Sequence, residues 1–223
     1  MTFVKICCIA SRAEAQLAAD LGADALGLVS HMPSGPGVIA DEVIADIAAF
    51  SRAHLPPTMR TYLLTSRQSA ASIAAQHAIC KTTTLQLVDE VAPRELQKLR
   101  QLLPHTELVQ VIHVAGEDSL RQALALAPLV DQLLLDSGNQ KLPVKVLGGT
   151  GRTHDWSLSA RIVGQAGIPV LLAGGLNPAN ARAALDAVKP QGLDICSGVR
   201  SHLASGSTLD ALKLAAFMKT VKG

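Results

Sequence analysis

Short runs of leucine and β-branched residues alternate along this chain with alanine-rich stretches whose apolar positions recur at helical spacing. The first run, Thr2–Ile9, predicts a strand. Arg12–Leu21 predicts a helix, with Ser11 as N-cap, Glu14 three residues on and Gly22 as the stop. The same pairing then repeats. Strands are expected over Ala25–Val29, Arg60–Leu64, Thr84–Val88, Glu107–His113, Asp131–Asp136, Val170–Ala173 and Leu193–Cys196. Helices are expected near Asp41–Phe50, Ser66–His77, Pro93–Leu103, Glu117–Leu126, Leu158–Ala166, Ala179–Val188 and Leu209–Thr220. A long polar loop, Ser137–Asp155, separates the sixth strand from its helix.

Strand–helix units repeating every ~28 residues imply a parallel sheet. The strands are apolar at both parities, as in a sheet covered by helices outside and packed within. The expected fold class is α/β, a single (β/α)8 TIM barrel over residues 1–223. A doubly wound open sheet is the alternative. It calls for a glycine-rich turn after the first strand, where Cys7-Cys8-Ile9-Ala10 stands instead.

Composition narrows the function classes. With 48% hydrophobic residues the chain can offset its ordering entropy and fold, and its apolar runs fall far short of a membrane span. The start, Met-Thr-Phe-Val-Lys, carries no apolar leader, so a cytoplasmic protein is expected, without membrane partners. The 20 basic and 18 acidic residues are dispersed and only 2% of residues are aromatic, which argues against nucleic acid as a partner. Cys7, Cys8, Cys80 and Cys196 show no CxxC spacing, so neither a metal site nor a cofactor is expected.

In such a barrel, chemistry belongs at the C-terminal strand ends and in the loops after them. Gly174-Gly175 after strand seven and Ser197-Gly198 after strand eight suit a phosphate cradle, since glycine lets backbone N–H groups approach an anion closely. Cys7 should face the barrel axis, two residues from Lys5, whose ammonium favours a thiolate able to act as a base. Cys8, at the opposite parity, should pack outward as a small hydrophobe. Asp136 ends an apolar strand, where desolvation favours the protonated acid. A thiol base and a carboxylic acid flanking a bound phosphate suggest proton shuttling on a phosphosugar. His31, His113 and His154 read as solvated loop residues, Met32 and Trp156 as packing.

At these residues the chain resembles the phosphoribosylanthranilate isomerase family, whose barrel enzymes carry out the Amadori aldose-to-ketose step of tryptophan biosynthesis. The likeness runs nearly end to end. It rests on Val4-Lys5-Ile6-Cys7, Gly22 to Gly27, Gln86-Leu87, Leu134-Leu135-Asp136-Ser137, Gly148-Gly149-Thr150-Gly151, Asp155-Trp156, Leu172 to Pro178, and Asp194 with Ser197-Gly198-Val199. The resemblance implies that Cys7 removes the sugar C2 proton and that Asp136 protonates the ring oxygen. It implies that Gly174, Gly175, Ser197 and Gly198 hold the phosphate, with Lys5, Gln86, Gly149, Thr150 and Asp194 completing a site for a small phosphorylated sugar-amine. A monomer or homodimer is expected.

The chain departs from the family at four places. Cys8 stands where the family has glycine. The loop Met32–Gly37 lacks the arginine that holds the anthranilate carboxylate. Gln86-Leu87-Val88-Asp89 replaces Gln-Leu-His-Gly, and Ser205-Gly206-Ser207-Thr208 replaces Gly-x-Lys-Asp. A charge-assisted contact of that kind is worth about 1.5–3 kcal/mol, leaving Arg152, Arg67 and His31 as the cations that could replace it. These departures keep a second reading open: a phosphosugar-binding barrel with another substrate, or with no isomerase activity.

Overall fold

The first eight strands lie in the barrel in sequence order, and the eighth pairs with the first. A computed structural model describes residues 2–33, 35–137, 155–203 and 206–223. Parallel strands β1 (Phe3–Ile6), β2 (Ala25–Val29), β3 (Arg60–Thr65), β4 (Thr84–Leu87), β5 (Glu107–His113), β6 (Gln132–Asp136), β7 (Val170–Leu172) and β8 (Gly192–Ile195) form one closed barrel. Closure is made by β1 against β8, with Lys5 opposite Asp194. Helices α1 (Arg12–Asp20), α2 (Asp41–His54), α3 (Ala70–Cys80), α4 (Pro93–Leu102), α5 (Glu117–Leu126), α6 (Trp156–Gln165), α7 (Ala181–Val188) and α8 (Ala211–Lys222) follow their strands in turn.

Period-two alternation along the strands divides the core in two. Leu63, Leu108, Ile112, Leu133, Leu135 and Leu172 pack outward with the helices. Tyr62, Leu64, Val109, Val111, Leu134 and Leu171 fill the barrel interior with Cys7 and Cys8. Inside, the Tyr62 hydroxyl donates to Gln132 Oε1 at 3.2 Å. The open sheet is thereby excluded.

Three departures from the sequence reading have local causes. The first strand ends at Ile6, because Cys8 adopts φ +65°, outside the extended region. Helix α3 begins at Ala70, since Ser69 accepts from Ser72 N at 3.3 Å and caps it there. Between β8 and α8 lies an antiparallel hairpin, β9 (Arg200–Leu203) with β10 (Gly206–Leu209), in a stretch read as loop.

Ser11 Oγ does accept from Glu14 N at 3.2 Å as expected. The Glu14 carboxylate turns to other donors: Ala10 N at 2.9 Å, Leu209 N at 2.8 Å and Arg200 Nη2 at 2.8 Å. One buried ion pair thus ties the start of α1 to the hairpin and to the chain leaving β1.

Candidate active site

At the C-terminal rim of the barrel, one pocket is lined by Cys7, Gln86, Asp136, Gly174, Gly175, Asp194 and Ser197, among others. The backbone fixes Cys7 by a hydrogen bond from its N–H to Ile195 O at 2.8 Å. Its sulfur occupies room left by β2: a Cβ on Gly27 would lie 2.9 Å from Lys5 Nζ and 3.0 Å from Cys7 Sγ. Only glycine at that inward position leaves the ammonium and the thiol side by side.

Lys5 is wholly buried, with Nζ 2.8 Å from Asp194 Oδ1 and 5.3 Å from the centre of the Tyr62 ring. Burial opposes its charge, but Asp194 and Cys7 outweigh it and hold Lys5 above the ordinary lysine range. Cys7 in turn lies below the ordinary thiol range. A hydrogen bond from the Cys8 side chain is the largest cause, and the Lys5 ammonium adds to it against the effect of burial. A lowered thiol pKa is what a thiolate base requires.

Cys8 does not pack outward. At φ +65° a residue other than glycine costs about 1–3 kcal/mol, and this conformation turns the side chain inward among the pocket-lining residues. Alternation along a strand ceases to apply where the strand stops. The signal available in the sequence was the replacement of a family glycine at a turn.

Across the mouth stands Asp136, half-buried, its Oδ1 accepting from Ser137 N at 2.7 Å. Gln86 is buried in the same wall, with Oε1 unpartnered among the described residues. Gly174 and Gly175 take φ +85° and +65°, a succession that side chains resist, and their N–H groups have no partner among the described residues. Asn180 Nδ2 draws the Gly175 carbonyl away at 3.0 Å. Gly198 lies beside them, so near that a Cβ would sit 2.1 Å from Leu176 O. The turns after β7 and β8 therefore touch, as a shared anion cradle needs.

Lys5 lies outside the pocket lining, with its charge directed at Cys7 and Asp194. Gly149, Thr150, Arg152 and His154 fall outside the described residues. His31 and Arg67 meet instead in a neighbouring cleft with Ser30, Asp41, Glu42 and Gln76. His113 is not solvated: it shares the inward parity of Val109 and Val111, with Nε2 2.9 Å from Val88 O. Its Nδ1 is buried without a partner among the described residues. No group of three His, Cys, Asp or Glu among the described residues is arranged to hold a metal ion. No described helix is long and apolar enough to cross a membrane.

A closed parallel barrel with a thiol and a carboxyl at its rim, beside paired glycine turns, defines the class of phosphosugar isomerase barrels. Residues 4–220 match the family model for N-(5'phosphoribosyl)anthranilate (PRA) isomerase. The N-(5'-phosphoribosyl)anthranilate isomerase of Methanocella arvoryzae is 31% identical over 91% of this chain and 91% of its own length. The crystal structure of phosphoribosyl anthranilate isomerase from Thermotoga maritima matches with a TM-score of 0.82 and 28% identity, covering 100% of both chains. A phosphoribosyl anthranilate isomerase in complex with reduced 1-(o-carboxyphenylamino)-1-deoxyribulose 5-phosphate matches at TM-score 0.80 and 26% identity, again over 100% of both chains. The chain belongs to the PRA isomerase family.

Proposed function

We propose that this protein is the isomerase of its family's tryptophan-pathway step, turning N-(5'-phosphoribosyl)anthranilate into the matching 1-amino-1-deoxyribulose 5-phosphate. The observation that carries the reading is Cys7: a pocket-lining thiol, lowered in pKa, beside a buried ammonium and sharing its pocket with Asp136.

The N–H groups of the Gly174–Gly175 turn and the turn at Ser197 and Gly198 hold the phosphate. Asp136 gives its proton to the ring oxygen as the C1–O bond breaks, and the amine lone pair forms a C1=N bond. The Cys7 thiolate then takes the C2 proton. The C–H electron pair becomes the C1=C2 bond, and the C1=N pair returns to nitrogen. The resulting enol-amine then tautomerises: C1 gains a proton as the C2 hydroxyl gives one up to water, which leaves the ketone at C2 with no net change in protons. Gln86 Oε1, buried and without a partner among the described residues, is available to a sugar hydroxyl.

Loss of substrate fluorescence with purified protein tests this directly. Turnover should fall by about 10²–10⁴-fold in Cys7→Ala and in Asp136→Asn, with inorganic phosphate still bound. Absence of turnover by folded wild-type protein would overturn the assignment.

A further inference from the structure

Between Cys7 and Ile9 the chain leaves β1 and turns toward β2. Cys7 N is held by Ile195 O at 2.8 Å, and Ile9 N by Gly27 O at 3.0 Å. The single residue between them, Cys8, makes the turn at φ +65°, a conformation that side chains resist and that persists only where the surroundings hold it. Its carbonyl accepts from Arg200 Nη1 at 3.0 Å. Arg200 is buried, and its other nitrogens are fixed as well. Nε donates to Ser207 Oγ at 3.0 Å, and Nη2 donates to Ser207 O at 3.1 Å and to Glu14 Oε1 at 2.8 Å. Glu14 also accepts from Ala10 N and Leu209 N, so the guanidinium is held against the turn from both sides.

We propose that Arg200 is a positioning residue of the isomerase: by holding the Cys8 carbonyl it keeps the turn after β1 in the conformation that faces Cys7 into the pocket. The proposal rests on Cys7 being the base of the reaction. Arg200 does not line the pocket, so it acts through Cys8. Cys7 directly precedes the strained residue, and relaxation of Cys8 to negative φ would redirect the peptide that joins them. The Cys7 sulfur has little latitude, since the room left by Gly27 is shared with Lys5 Nζ. A misplacement of about 1 Å at a reacting group can cost about 10²-fold in rate. A guanidinium suits the task, because its planar fork donates to Cys8 O, Ser207 and Glu14 at once. Arg200 also follows Gly198 closely in sequence, so the same contact ties the turn bearing the base to the turn after β8.

Arg200→Lys keeps a charge for Glu14 and gives up the fork. Its kcat should fall at least about tenfold, with KM and inhibition by inorganic phosphate within about twofold of wild type. Alkylation of Cys7 by iodoacetamide at about pH 9, followed by peptide mass spectrometry, needs no catalysis and should quicken about threefold or more as the turn loosens. The deciding arm is Cys8→Gly in the Arg200→Lys background. Glycine takes a positive φ without strain, so both readouts should return most of the way to those of Cys8→Gly alone. A general loosening of the barrel would not be repaired at this one residue. Glu14→Gln, which keeps an oxygen for Ala10 N and Leu209 N, should show a smaller change of the same kind, and it stands in where Arg200→Lys does not fold. Unchanged kcat or unchanged alkylation in folded Arg200→Lys overturns the proposal, as does a loss of the same size in the Cys8→Gly background. Absence of turnover in the wild type, or full turnover in Cys7→Ala, would instead remove the isomerase reading, and the alkylation comparison still decides what Arg200 holds.

Discussion

Lys5 and Asp194 face each other across the seam that closes the barrel, Nζ to Oδ1 at 2.8 Å, with side chains 0% and 8% exposed. Removing one member of such a pair leaves the other charge buried without its partner. Lys5→Met should lower stability by about 3–5 kcal/mol in urea unfolding. Combining it with Asp194→Leu should recover much of that loss while leaving turnover impaired, because no ammonium then favours the Cys7 thiolate. A double variant as unstable as Lys5→Met alone would contradict this account.

Gly27 offers a test of positioning without removing a functional group. The added methyl of Gly27→Ala would press on Lys5 Nζ and Cys7 Sγ at 2.9 and 3.0 Å. Overpacking of this kind costs about 1–3 kcal/mol. Since the strain falls on the base and the cation beside it, kcat should drop at least about tenfold. Inhibition by inorganic phosphate should change little, because the glycine turns follow β7 and β8, away from Gly27 on β2. Phosphate inhibition lost in parallel with kcat would mean that the barrel itself had deformed.

Gly198 tests the other half of the site. In Gly198→Ala the new methyl meets Leu176 O at 2.1 Å, a backbone atom that cannot swing aside. The two turns must separate, so KM and the phosphate inhibition constant should both rise about tenfold or more. The pH profile of kcat, in which the Cys7 thiolate takes part, should keep its shape. A variant whose KM stays at the wild-type value would show that these turns do not hold the phosphate.

The strand order and both faces of the barrel were legible because period-two and helical patterns depend on burial alone. Leu133 and Leu134 could be assigned to opposite faces from their parity. Legibility failed where a single backbone angle overrides the pattern. Counting along the strand puts Cys8 outward, and its φ of +65° brings it in. The hairpin β9–β10 carries no local signal, because Arg200 and Ser207 are polar; what holds it is a contact with Glu14, distant in sequence. The position of His113 at the end of its strand suggests a solvated residue, but the Val88 carbonyl and its inward parity keep it buried. Long-range pairs of this kind leave no local periodicity.

Alkaline pH should weaken the fold, and buried thiols should begin the decline. Burial pushes the Cys80 thiol up to about 12 and the Tyr62 phenol up to about 12. Cys8 is raised too, first by its hydrogen bonds to Cys196 and Cys7 and then by burial. In the unfolded chain the thiols lose their protons near pH 8.5 and the phenol near 10. Above those values the native state holds more protons than the unfolded state, so stability falls with rising pH. Each such group removes about 1.4 kcal/mol per pH unit until its folded pKa is reached, and its contribution is fully present below the unfolded value. Cys7, lowered in the fold, works in the opposite sense: its contribution is lost as pH falls through its folded pKa and adds no slope above 8.5. Stability in urea unfolding between pH 7.5 and 11 should therefore rise slightly at first through Cys7, turn over near 8.5 and fall more steeply near 10. Cys80→Ala should flatten the first decline by one group's share, whatever it costs in packing at every pH. Stability unchanged from pH 8.5 to 10 would mean that these thiols are not shielded from water in the native barrel.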